Sequence, residues 1–107
     1  MKYFVSILLI FISIRAISQT FTRQDSLRGS ITPERVWWNL THYDLQVEVD
    51  LENKTIHGLN TISYSVLEVN SKMQIDLQAP MIIEKVLQNG KELLFTSEGN
   101  AHFIQLQ

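Results

Sequence analysis

The 107-residue sequence contains no cysteine, only two prolines and four glycines, and only a small excess of negative charge, −2. Without cysteine there can be no disulfide framework, no thiolate nucleophile and no thiolate metal site. A small domain must then rely on its own apolar core or on packing against more protein, and a single core is the most this length supports. Two motifs are missing as well. No H-x-x-x-H pair offers two metal ligands on one helical face, and no G-x-S-x-G elbow offers a catalytic serine. The lead "LRGS" (Leu27 to Ser30) carries a basic residue and a glycine but lacks the spacing of a phosphate loop.

The one long apolar run lies at the start. Lys2 precedes "YFVSILLIFISI" (Tyr3 to Ile14), and "AIS" (Ala16 to Ser18) supplies the small residues a signal peptidase reads. The run is shorter than the roughly 20 residues of a membrane-spanning helix. Residues 1–18 are therefore expected to be a cleaved secretory signal, with export to a periplasmic or extracellular location and no membrane contact after cleavage. Removing that segment leaves seven basic and eleven acidic residues, a net charge of −4. This balance disfavours nucleic acid and anionic membrane surfaces as partners.

Residues 19–35, "QTFTRQDSLRGSITPER", are polar and without a clear period, and are expected to form an extended lead-in. Residues 36–107 are expected to form a β-domain. From Tyr43 the period is two: Tyr43, Leu45, Val47, Val49 and Leu51 point one way, and Asp44, Gln46, Glu48 and Asp50 the other. "ENK" (Glu52 to Lys54) turns the chain, and Ile56, Ile62, Tyr64 and Val66 continue the apolar face. Gly58 and Asn60 interrupt that face, as a bulge or a close backbone approach would. "KMQIDLQ" alternates again, with Met73, Ile75 and Leu77 inward, and Ala79-Pro80 stops it. Asn89-Gly90 between "MIIEKVLQ" and "KELLFT" predicts a type I′ hairpin. "SEGN" predicts a further turn, and "AHFIQLQ" opens a strand that the sequence leaves short. The expectation is about six strands, no helix, and an all-β antiparallel sandwich or saddle, incomplete at the C-terminus and so part of a longer protein.

Candidate chemical groups are few. His42, His57 and His102 fall in separate strands with no acidic partner evident in sequence. They would make a zinc site only if the fold brought them together. Asp44, Glu48 and Asp50 share one strand face, which reads as a solvated face rather than a catalytic carboxylate pair. Trp37 and Trp38 are adjacent and, in extended chain, point to opposite sides. Packing anchors and a ligand-stacking platform are the two readings. Asn39-Leu40-Thr41 and Asn53-Lys54-Thr55 fit the N-glycosylation pattern.

The ordered series Asp25/Leu27-Arg28-Gly29, Pro33-Glu34-Arg35, Trp37-Trp38, His42-Tyr43-Asp44-Leu45, Ile56, Gly58 and "MQIDLQ" (Met73 to Gln78) resembles the N-terminal domain of aminopeptidase N-like zinc metallopeptidases, the gluzincin aminopeptidases, in their exported bacterial form. The resemblance covers roughly residues 22–106. Asn39 departs from it, standing where an acidic residue is expected. The resemblance implies a β-rich saddle or sandwich packed against a thermolysin-like catalytic domain. It implies peptide substrates trimmed from their N-termini, and zinc in the full-length parent. The family's H-E-x-x-H helix, distant glutamate ligand, oxyanion-stabilising tyrosine and G-x-M-E-N strand do not occur in this sequence. No catalytic, cofactor or metal residue is therefore assigned to it, and no cofactor is expected in this chain. The expected role is architectural. The alternative is a complete secreted β-sandwich that binds a carbohydrate or protein ligand through Trp37 and Trp38.

Overall fold

The computed structural model describes residues 19–107. The expected signal segment lies outside the described residues. The chain is all-β in class, with three antiparallel sheets and two short helices among the described residues. None of the described helices is long and apolar enough to cross a membrane.

The lead-in is the first correction. It is not extended: Arg23–Gly29 forms helix α1 and Pro33–Val36 forms helix α2. The cause of α1 is a reciprocal cap. The Asp25 N–H donates to Thr22 Oγ1 at 3.3 Å, and the Thr22 N–H donates to Asp25 Oδ2 at 2.9 Å. Both groups would otherwise be orphan donors at a helix start. Pro33 suits the first turn of α2, where its missing N–H costs nothing.

The Asp25 carboxyl sits below the ordinary carboxylate range, chiefly because the Thr22 N–H donates to it and then because the Thr22 hydroxyl does. A depressed folded pKa means that the stabilisation is present above the unfolded value, about pH 3.9. It is lost as pH falls through the folded value. Amide protection across Arg23–Leu27 is therefore expected to fall on acidification below about pH 4, and Asp25→Asn is expected to flatten that titration. An identical acid response in Asp25→Asn would remove the cap as its cause.

Strands β1 (Trp38–Asp50) and β2 (Thr55–Val66) form the expected long hairpin, closed by a turn that holds Lys54 at φ 53. Asp50 stiffens that turn by accepting the Asn53 N–H at 2.9 Å and the Asn53 side-chain amide at 2.8 Å. The same two bonds hold the Asp50 carboxyl below its usual range, the backbone one first. Gly58 faces Val47 across the ladder, and a Cβ there would lie 3.0 Å from the Gln46 carbonyl oxygen. Of the two readings of Gly58, close backbone approach is the one that holds.

The ladder's register shift falls elsewhere, between Leu40 and His42. The extra residue, Thr41, has a clear consequence. Trp38 and Leu40 would otherwise alternate out of phase with Tyr43, Leu45, Val47 and Val49. The bulge resets the phase and puts all six on one face.

The second sheet has the order β3-β7-β6, from β3 (Lys72–Asp76), β6 (Phe95–Glu98) and β7 (Ala101–Gln105). The strand expected to be short is the central one, paired with both neighbours. Ala101, His102, Phe103 and Ile104 are all buried, because both faces of β7 are covered. On one face Leu27 of α1 packs with Ala101 and Phe103. The opposite face carries Met73, Ile75, His102 and Ile104.

The third sheet is a small hairpin of β4 (Val86–Gln88) and β5 (Lys91–Leu93). Asn89 at φ 50 and Gly90 at φ 79 make its turn as expected. The flanking runs are shorter than predicted. Residues 81–85 are outside any strand, and the "KELLFT" run breaks at exposed Leu94 into β5 and β6, which belong to different sheets. Three apolar residues in a row (Leu93, Leu94, Phe95) cannot satisfy a two-residue alternation, so the strand ends there. Seven strands result among the described residues, instead of about six.

Candidate functional site

The hairpin root is where the tryptophans go. Trp37 closes α2 in a helical backbone conformation, so the pair is not fully extended. Both indoles lie edge-on to Tyr64, at 6.0 Å for Trp37 and 5.9 Å for Trp38. Trp37 is 2% exposed, and its Nε1–H donates to the Lys72 carbonyl at 2.8 Å. Its own carbonyl accepts the Leu67 N–H at 2.7 Å and the Glu68 N–H at 3.1 Å. Trp38 is half-buried, with its Nε1–H on the Glu34 carbonyl at 3.0 Å. The two rings thus bind the start and end of the hairpin to α2 and β3. Trp37 has no free face on which a ligand could stack.

A buried polar centre joins the helices to the second sheet. The Gln74 side chain, 1% exposed, accepts from Thr32 Oγ1 at 2.6 Å. Its amide nitrogen donates to the Leu27 carbonyl at 3.2 Å and to Asp76 Oδ1 at 3.1 Å. Arg35 adds an ion pair to Asp76 and donates to the Ser30 carbonyl at 2.7 Å. Arg23 pairs with Glu98 at 3.1 Å, which raises the guanidinium pKa through the hydrogen bond to that carboxylate. That exposed pair contributes little to stability.

The three histidines do not converge. His42 and His57 stand in β1 and β2, opposite Ser63 and Glu48, and His102 stands in β7. Glu48 is thus a cross-strand neighbour that the sequence did not reveal for His57. Among the described residues, no three His, Asp or Glu side chains come together as a metal site would require. The zinc implied by the resemblance does not fit the described residues of this chain.

His102 does have a partner. Its Nδ1 lies 2.7 Å from Ser97 Oγ across the β6–β7 ladder, and its Nε2 lies 3.5 Å from the Leu77 carbonyl. The serine hydroxyl can donate to Nδ1 or accept from it, and the tautomer of the ring sets which. The pair borders an open depression of ≈ 370 Å³ lined mainly by Leu77, Met81, Ile82 and Phe95. This arrangement satisfies a buried imidazole. A catalytic pair would need an acidic group behind the imidazole to stabilise its charged form, and a backbone carbonyl supplies only a dipole.

The largest unsatisfied feature is the apolar face of the hairpin. Tyr43, Leu45, Val47 and Val49 on β1 and Ile56 on β2 lie on it, and each is about half exposed or more. The face expected to be buried is therefore open, and no described element covers it. Its length is about 20 Å by strand rise. Apolar side chains grouped on one exposed face, interrupted here only by Gly58 and Asn60, are more than ordinary surface scatter.

Comparison with protein-family models, with curated proteins and with solved structures found no match.

Proposed function

We propose that the chain is the non-catalytic N-terminal β-domain of an exported aminopeptidase N-like zinc metallopeptidase, and that it supports the catalytic domain of the same polypeptide. The observation that carries this reading is the open apolar face of the β1–β2 hairpin. The hairpin is anchored at its root by Trp37, Trp38 and Tyr64, and it presents to solvent a face whose composition calls for cover. The ordered residues of the lead-in and of β1 supply the family. Peptide trimming and zinc belong, in this reading, to the parent and not to this chain.

The competing reading, a carbohydrate- or protein-binding module built on Trp37 and Trp38, is disfavoured by the burial of Trp37 and the capture of both indole N–H groups by backbone carbonyls. The purified chain is expected to release no chromophore from aminoacyl-anilides above background and to retain no stoichiometric zinc after dialysis. The DNA following the codon for Gln107 is expected to continue in frame to an H-E-x-x-H segment. Hydrolysis that co-purifies with the chain, retained zinc, or a stop codon followed by unrelated sequence would each count against it.

A further inference from the structure

Two properties of β1 specify what the hairpin takes as its partner. The first is its edge. The hairpin sheet has only two strands among the described residues, so β1 has a free side along its length. In an antiparallel pair, alternate residues turn their N–H and C=O groups away from the partner strand. Natural sheets blunt such edges with proline, charged side chains (lysine above all), bulges or short length. β1 is 13 residues long, holds no proline and no lysine, and is interrupted only by the bulge near its start.

The second property is charge. On the polar face, β1 carries Asp44, Glu48 and Asp50, and neither β1 nor β2 contains a lysine or arginine. Asp50 is engaged by Asn53 in the turn. Among the described residues, the ion pairs found do not include Asp44 or Glu48. The nearest fixed positive charges in sequence are Lys54, in the turn, and Arg35, before β1. The β2 residues on the same face are Thr55, His57, Leu59, Thr61, Ser63 and Ser65.

We propose that the free edge of β1 accepts a further strand from the catalytic domain that this domain supports, a strand whose residues alternate apolar and Lys/Arg. Its backbone would complete the β1 ladder. Its apolar residues would extend the face of Leu45, Val47 and Val49. Its cations would lie beside Asp44 and Glu48 on the other face, because strand neighbours sit about 4.8 Å apart. A strand of like charge would place carboxylates directly against carboxylates, which is destabilising. The β2 edge offers no such selection, since its polar face is uncharged apart from His57. This inference rests on the reading of the chain as a supporting domain, and names the chemistry of the strand that such a domain receives.

The test uses the full chain and three nine-residue peptides: one alternating valine with lysine, one alternating valine with glutamate, and a non-alternating scramble of the first. The basic alternating peptide is expected to bind about tenfold or more tightly than the other two, and to slow hydrogen exchange along β1. The double variant Asp44→Lys/Glu48→Lys is expected to reverse the preference toward the glutamate peptide. Both positions are exposed, so circular dichroism of the variant should match the parent. Equal binding of all three peptides, protection confined to β2, or self-association of the chain that excludes the peptide would each overturn the proposal. Such a failure leaves the supporting-domain reading to be decided by hydrolysis and zinc retention. Conversely, a zinc-bearing hydrolytic chain would remove that reading without altering peptide selectivity.

Discussion

Trp37→Ala is expected to abolish the cooperative unfolding transition of the chain at ordinary temperature. The indole is 2% exposed, meets Tyr64 edge-on at 6.0 Å, and donates to the Lys72 carbonyl at 2.8 Å. Truncating a buried tryptophan costs about 3–5 kcal/mol, from lost transfer energy and the cavity left behind. It also leaves the Lys72 carbonyl without its side-chain donor. A domain of this size has only about 5–15 kcal/mol in total, toward the lower end when its core is small. Trp37→Phe, which keeps a ring but loses the N–H, is expected to fall between the parent and the alanine variant. Trp38→Ala is expected to cost less, because Trp38 is only half-buried. Thermal unfolding followed by circular dichroism checks the series. A Tm decrease below about 4 °C for Trp37→Ala, equivalent to about 1 kcal/mol or less here, would show that the hairpin is held to β3 by something else.

Gln74→Ala is expected to detach the helices from the second sheet. Gln74 accepts from the Thr32 hydroxyl and donates to the Leu27 carbonyl and the Asp76 carboxylate. Removing it strands a buried hydroxyl and a buried carbonyl at about 1–3 kcal/mol for each group left unpaired. The double variant Thr32→Val/Gln74→Leu removes the Thr32–Gln74 pair together and leaves the Leu27 carbonyl alone. It is expected to be more stable than the sum of its two single variants, since matched apolar replacement of both partners can be nearly neutral. Urea unfolding gives the coupling, and hydrogen exchange across Arg23–Gly29 reports the detachment. A Gln74→Ala variant within about 0.5 kcal/mol of the parent, the scatter of ordinary surface changes, would rule out this centre as the joint.

Local sequence carried the hairpins well. The alternation from Tyr43 and the turn at Glu52–Lys54 depend on neighbours only a few residues apart, and so does Asn89-Gly90. Side-chain period and φ preference decide such features within the segment itself. The bulge at Thr41 was missed, though the phase jump between Leu40 and Tyr43 signals it. α1 was missed as well: its polar composition suggested an extended segment, and the Thr22–Asp25 cap was the signal that could have found it. The apolar resemblance of "KELLFT" to a single strand concealed a change of sheet at Leu94.

What the sequence by itself determined, then, was the all-β antiparallel class, the hairpin with its apolar and acidic faces, and the absence of metal and nucleophile motifs. Only the tertiary structure decided that β7 is central and buried on both faces. It alone placed Gln74 inside the fold, set His102 against Ser97, and joined Trp37 to Lys72 across 35 residues. The physical reason is the range of the interactions. A strand's period records that two faces differ, but which face is covered depends on elements distant in sequence. Leu27 and Thr32 cover the Gln74 side of the second sheet, while no described element covers Val47. The same alternation therefore produced a buried centre in one sheet and an open apolar face in the other.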